Sequence, residues 1–299
     1  MARSTSTSST THLAKTYLSA ATIVVLLGAI GAGLTFGLRP LEDRAAKTLD
    51  PGSLKVRIVW PTARGGSGTW LPVPTQEVLM MLANEAAGPS LDHLSADQLA
   101  RICTAMEESG WFTGTPRVTR EAGGVITIDG AWRIPAANVV HRNKKFLISW
   151  DGKPMPPGVE TVWTIYEPAH GPPRSSSGER DYAQPWSGED VAASLELLSR
   201  IVAEPWSGQV KGIDASKYTE SGDGLVIVTD KDTRIVWGGR PAKPRLGEIP
   251  TAHKIAHLRQ LVKDTRRIDA NHPLIYVNQE RMQFDISASA RQTALAGPE

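Results

Sequence analysis

Two histidines form the nearest approach in this chain to a metal-binding motif. His253 and His257 lie four residues apart, the spacing that places two imidazoles on one helix face in zinc metalloproteases. Lys254 stands where such an enzyme has its glutamate, and the apolar stripe of the helix runs through Ile255 and Leu258. We therefore expect both histidines to face water, and we predict no metal site.

The other reactive side chains have simpler explanations. Cys103 is the only cysteine. It lies on an apolar helix stripe, so we expect a small buried hydrophobe, with no disulfide and no cysteine-rich metal site. The segment Gly222–Gly224 precedes a strand, which is wrong for a phosphate-binding loop, and no G-x-S-x-G motif occurs. Four aspartates stand at predicted turns, where aspartate is favoured for backbone reasons: Asp129, Asp151, Asp230 and Asp232. No catalytic residue, cofactor or small-molecule substrate is predicted, so the chain is expected not to be an enzyme.

One uncharged segment dominates the N-terminal part. Residues 16–38 lie between Lys15 and Arg39, and a helix of that length crosses a bilayer core of roughly 30 Å. The run exceeds the ~7–15 apolar residues of a signal peptide, so we predict an uncleaved transmembrane helix. Residues 1–15 are then a cytoplasmic tail and residues 39–53 a spacer. Flanking charges do not decide the orientation, but the large C-terminal body and the scarcity of cysteine favour a body outside the cytoplasm.

The body has a near-neutral charge, with a net charge of +2 for the whole chain. Acids and bases are interspersed, which argues against a nucleic-acid-binding protein. Hydrophobic periodicity predicts an α+β fold that begins with a β-α-α-β-β module over residues 54–129. Its elements are strands at 54–60, 116–120 and 125–129, and helices that begin near Thr75 and Ser95.

A mixed β-domain with packed helices is predicted over residues 130–286. We expect residues 167–206 to form an insertion with its own helix, in which 167–184 are mobile, and residues 287–299 to form a flexible tail. The predicted strands include 138–142, 145–150, 159–166, 225–229, 234–237, 274–277 and 282–286. Either of the last two would suit an open sheet edge to which a partner strand adds, or both would be ordinary paired strands.

This order of elements resembles the FtsQ/DivIB family of bacterial cell-division proteins. The matching segments are Val56–Val59, Val125–Ile128, Ile134–Ala137, Phe146–Pro156, Leu225–Gly238 and Lys254–Val262. Trp132–Pro135 keeps only part of the family's Glu-Arg-x-Pro signature. Ile275–Asn278 stands where the family has a strand that ends in Asp-Leu-Arg.

The resemblance implies a single transmembrane helix, a POTRA domain and a β-domain. It also implies a non-enzymatic scaffold at the septum of the inner membrane, with a cytoplasmic N-terminus and small bitopic partners of the FtsB and FtsL type. In that family the last β-domain strand pairs with FtsB. By position, the contact would include Ile275, Tyr276, Val277 and Asn278, with Met282 and Phe284 on the following strand. Tyr276 is either an anchor of this contact or an inward core residue.

Two rival functions remain open at this point. A POTRA-bearing anchored subunit of a secretion or pilus system would have the same order of elements. A membrane-anchored envelope enzyme would instead show a deep polar pocket with clustered acids or histidines.

Overall fold

The structure is a computed structural model that describes residues 55–63, 68–88, 96–121, 124–219 and 222–285. These residues divide into two units. Residues 55–57, 119–121 and 124–127 belong to the first unit, and residues 58–63, 68–88, 96–118, 128–219 and 222–285 belong to the second.

Two helices and a small sheet come first along the chain. Strands β1 (Lys55–Ile58), β2 (Arg117–Arg120) and β3 (Val125–Asp129) form a sheet in the order β1-β3-β2. Helices α1 (Val73–Ala87) and α2 (Ala96–Glu108) lie between β1 and β2 in sequence and contact each other.

The buried face of α1 includes only part of its apolar residues. The helix buries Thr75, Leu79, Ala83 and Ala87, whereas Val78 is 56% exposed. Apolar residues occur on both faces of α1, so periodicity alone does not fix which face turns inward.

The larger sheet has nine strands in the order β12-β11-β10-β9-β8-β7-β4-β5-β6. Its strands are β4 (Pro135–His141), β5 (Lys144–Ser149), β6 (Pro154–Met155), β7 (Thr164–Tyr166), β8 (Val210–Asp214), β9 (Leu225–Thr229), β10 (Arg234–Gly238), β11 (Leu274–Tyr276) and β12 (Gln283–Phe284). Three neighbouring pairs are parallel, namely β4 with β7, β7 with β8, and β10 with β11.

Two helices serve as crossover connections. Helix α3 (Glu189–Ile201) joins β7 to β8, and helix α4 (Thr251–Thr265) joins β10 to β11. Parallel neighbours require such a connection, because a short turn cannot return the chain to the same end of the sheet.

Both crossover helices share one hydrophobic core with the sheet. Leu197 and Leu198 of α3 and Leu258 of α4 belong to the same buried cluster as Ile227 and Ile275 from the strands. The apolar stripes of α3 and α4 therefore cover one face of the nine-stranded sheet.

The expected fold class, α+β with an N-terminal transmembrane helix, a POTRA-like module and a β-domain, is wrong. The chain is a mixed α/β protein with four helices and a nine-stranded sheet among its described residues. No helix in these residues is long and apolar enough to cross a membrane. The segment 16–38, the flanking residues 1–15 and 39–53, and the tail 287–299 lie outside the described residues. Sequence alone did not reveal the parallel strand pairs. A helix that connects two parallel strands has the same apolar stripe as a helix packed on a hairpin, so the periodicity does not distinguish the two arrangements.

Residues 167–184, which we expected to be mobile, contact β5 and the segment that begins α3. The Trp186 indole donates to the His170 carbonyl at 2.9 Å, and Asp190 accepts from Ala169 N at 2.6 Å. The Arg180 guanidinium lies 5.0 Å from the centre of the Phe146 ring. These contacts connect the segment to Phe146 of β5 and Asp190 of α3.

Candidate interaction edge

The C-terminal edge of the nine-stranded sheet is formed by β12. Strand β11 lies parallel to β10, and Val277 N donates to Val236 O at 3.2 Å. Strand β12 then pairs antiparallel with β11, with Phe284 opposite Ile275. No described strand pairs with the other side of β12.

The hydrogen-bond direction along β12 shows which backbone groups face outward. Asp285 N donates to Leu274 O at 3.1 Å, so these two residues form a hydrogen-bonded pair. In an antiparallel ladder the next pair, Ile275 with Phe284, is not hydrogen-bonded. The N–H and C=O of Phe284 therefore point away from β11, toward the position of an additional strand.

The candidate residues from the sequence separate into core and surface. Ile275 and Val277 are fully buried in the core, whereas Phe284 is 37% exposed. Met282 is partly buried against the same core, and Tyr276 is partly exposed. Since side chains alternate along a strand, Tyr276 lies on the opposite face from Ile275. The structure thus brings five of the six residues to the two outermost strands and their flanks.

The sixth candidate, Asn278, connects the end of β11 to the loop before α4. Its carbonyl accepts from Ile249 N at 3.1 Å, and its side-chain Oδ1 is buried without a hydrogen-bond partner. Asn278 therefore links the end of β11 to the loop before α4 and does not form the outer surface of the edge.

A buried carboxylate fixes the start of β11. Asp269 is fully buried and accepts two hydrogen bonds from Arg267, Nε at 3.0 Å and Nη2 at 2.7 Å. It also accepts from Thr233 Oγ1 at 2.9 Å and from Asn271 N at 3.0 Å. Burial raises the pKa of Asp269, but hydrogen bonds from Arg267, Asn271 and Thr233 outweigh it and hold the pKa well below its usual range.

The same turn places a ring against the edge strand. His272 N donates to Asp269 O at 2.7 Å, and the His272 ring centre lies 4.8 Å from that of Phe284. The Asp269 turn thus positions both β11 and a ring that contacts β12. Sequence reasoning missed Asp269 and His272, because only the fold brings them beside Thr233 and Phe284.

A buried ion pair holds the loop between β10 and α4. Lys254 is fully buried and donates to Glu248 Oε2 at 2.7 Å and to Trp237 O at 2.8 Å. Glu248 also accepts from Gly239 N at 3.0 Å. Burial lowers the pKa of Lys254, and its partner Glu248 opposes this. Because this loop contains Ile249, the pair indirectly supports the end of β11.

The two histidines of the candidate metal motif differ in exposure. His253 is exposed, whereas His257 is half-buried and its Nδ1 is buried without a hydrogen-bond partner, so the expectation that both face water is wrong for His257. The described residues contain no group of three or more His, Cys, Asp or Glu side chains that could hold a metal ion. Asp232 pairs with Lys211, and Asp230 pairs with Arg267. Cys103 is partly buried; burial and, to a lesser extent, Glu107 raise the pKa of its thiol.

No family model matches this chain, and no curated protein matches it.

Proposed function

We propose that this chain is a non-enzymatic scaffold of the bacterial division complex. It recruits small bitopic proteins of the FtsB and FtsL type at the septal inner membrane, with the bulk of the chain outside the cytoplasm. The observation that carries the proposal is the outward N–H and C=O of Phe284 on the outermost strand β12. A row of unpaired backbone groups is a template for an added strand.

The side chains on β12 define the chemistry of the added strand. Phe284 lies opposite the core residue Ile275, so its ring is on the face covered by the helices. Met282 packs against the same core. Gln283 lies on the other face, opposite Tyr276. A partner strand beside β12 therefore needs apolar residues next to Met282 and Phe284, with a polar residue between them.

A proline substitution at Phe284 tests strand addition directly. Phe284→Pro removes the outward N–H but leaves the Asp285 N to Leu274 O bond in place, and proline is tolerated on edge strands where its nitrogen faces outward. Phe284→Ala is the matched control, because it removes the ring and keeps the N–H. One net hydrogen bond is worth about 0.5–1.5 kcal/mol. We therefore expect Phe284→Pro to bind partners about 3–10-fold more weakly than Phe284→Ala.

The measurement is crosslinking of the full chain in membranes, followed by identification of the captured proteins. Equal capture by the proline and alanine variants, with both folded, would contradict strand addition at β12. Capture of secretin-type proteins in place of division proteins would favour the secretion-subunit function.

A further inference from the structure

The opposite edge of the nine-stranded sheet, β6, differs in chemistry from β12. β6 consists of Pro154 and Met155, and both are buried. It pairs antiparallel with β5, with Pro154 opposite Ile148.

The backbone of β6 offers no donor to a further strand. Ser149 N donates to Lys153 O at 3.0 Å, so the next pair, Ile148 with Pro154, is the one that is not hydrogen-bonded. The nitrogen and carbonyl of Pro154 therefore point away from β5. A proline nitrogen carries no hydrogen, and the next position on the same side, Pro156, is also a proline.

The outward acceptor of β6 is already occupied. Arg133 Nη1 lies 3.4 Å from Pro154 O and donates to Tyr182 O at 2.6 Å. The whole Arg133 residue is only 6% exposed. One guanidinium therefore caps the free carbonyl of the edge and attaches the segment that contains Tyr182 to it.

Two other segments of the chain lie close to the residue that follows β6. A Cβ atom placed on Gly110 would lie 2.7 Å from Tyr182 Cγ and 3.2 Å from Pro156 Cδ. The turn at Gly110 therefore packs closely against Pro156 and the segment that contains Tyr182.

We propose that Arg133, Pro154 and Pro156 close the sheet at β6, so that β12 of a second copy cannot add there. If both edges were open, β12 of one copy would pair with β6 of the next. Such a heterologous contact repeats from copy to copy, and it produces filaments wherever the rotation between copies does not close a ring. Closing one edge confines strand addition to β12 and limits each chain to one added strand. This inference rests on the open β12 edge of the proposed function, but it does not depend on the identity of the partner.

The choice of arginine supports this role. Burial lowers the pKa of Arg133, with Asp151 opposing the shift, and its Nε is buried without a hydrogen-bond partner. An apolar residue would avoid this desolvation cost but would leave the carbonyls of Pro154 and Tyr182 unpaired. Arg133 Nη1 carries two N–H donors, so this one side chain can donate to both the Pro154 and the Tyr182 carbonyl.

The test restores donors at β6 and measures self-association of the full chain. The double variant Pro154→Val/Pro156→Val restores both outward N–H groups, and adding Arg133→Met releases the cap. Pro157→Val is the matched control, because Pro157 lies outside β6 and is exposed. Sedimentation velocity over a concentration series in one mild detergent gives the association constant, and circular dichroism checks folding.

We expect wild type and Pro157→Val to show the same weak concentration dependence of the sedimentation coefficient, which gives the reference association constant. The double variant should associate at least about threefold more tightly than wild type, since each donor is worth about 0.5–1.5 kcal/mol, and the triple variant at least about tenfold. Adding Phe284→Pro should reverse both gains. The proposal is overturned if the folded double variant sediments as wild type, or if Phe284→Pro leaves the association unchanged. The double variant retains Arg133, so it decides the question even if the triple variant does not fold. Failure here with intact partner capture would leave the proposed function standing.

Discussion

Substituting Asp269 by asparagine tests whether the buried network behind β11 maintains the candidate edge. Asparagine keeps the shape of the side chain and one acceptor oxygen but removes the charge. It also turns an NH₂ group toward Arg267, which can only donate. The two hydrogen bonds from Arg267 to the Asp269 carboxylate therefore cannot both survive.

The expected cost follows from the burial of this pair. Removing one partner of a buried ion pair typically costs about 3–5 kcal/mol. Two features favour the lower end: the Arg267 side chain is 17% exposed, and it keeps its ion pair with Asp230. We expect the free energy of unfolding to fall by about 3 kcal/mol, which lowers Tm by roughly 6–12 °C for a body of this size.

The pH dependence supplies a second readout with a definite sign. The folded pKa of Asp269 is depressed, so its stabilisation is present above the ordinary pKa near 4 and is lost as pH falls further. The difference in Tm between wild type and Asp269→Asn should therefore be constant above about pH 5. It should shrink as the pH is lowered below about 4.

Thermal unfolding followed by circular dichroism gives Tm, and hydrogen exchange reports the local effect. The amides of β11 and β12 should exchange faster in Asp269→Asn than in wild type, because the turn that begins β11 is loosened. Asp232→Asn is the matched control, since Asp232 is 71% exposed and pairs only with exposed Lys211. If Asp269→Asn lowers Tm no more than this control does, the network does not support the edge.

Two further substitutions test the other buried contacts. Lys254→Met leaves the carboxylate of Glu248 buried without its cation and should cost about 3 kcal/mol in urea unfolding, part of which Glu248→Gln should restore in the double variant. Equal stability of the single and double variants would show that the pair is not coupled. At Gly110 the φ is +79° and an added Cβ would clash with the Tyr182 ring. Gly110→Ala should therefore lower the free energy of unfolding by clearly more than Gly88→Ala. At Gly88 the φ is 62° and the ψ is 179°, a conformation that is essentially restricted to glycine, and no atom lies within 4 Å of the added Cβ. Only the backbone cost of about 1–3 kcal/mol is therefore expected there, and equal losses at the two sites would contradict the close packing of Gly110.

Local patterns predicted much of the secondary structure. The hairpin of β9 and β10, flanking the Asp230–Asp232 turn, and helix α4 beginning at Thr251 both occur as expected. These elements have strong period-2 or period-3.6 patterns with turn residues at their ends, which is where sequence reasoning works best. The candidate strands at 274–277 and 282–286 also occur, but shorter, as Leu274–Tyr276 and Gln283–Phe284.

Strand order could not be predicted in the same way. β7 pairs with β4 and β8, although residues 167–209 separate β7 from β8 in sequence. β7 has only three residues, and their sequence does not identify a partner strand so far along the chain. The pairing depends on the burial of α3 against the whole sheet. The Arg267–Asp269 pair was missed for a related reason, since its role depends on Thr233 of the distant β10 turn.

The two ends of the nine-stranded sheet nevertheless differ in a way that the sequence records. In Lys153–Gly158, prolines stand at 154, 156 and 157. The first two are two residues apart, which is the spacing of backbone groups that face one side of a strand. Around Phe284 the outward positions contain no proline. Alternating prolines remove every donor on one side of a strand while leaving the bonds to its neighbour intact, so they indicate a strand that ends a sheet. An edge strand can therefore be identified from sequence where prolines remove its outward donors, as at β6, and not where the outward N–H groups are kept, as at β12.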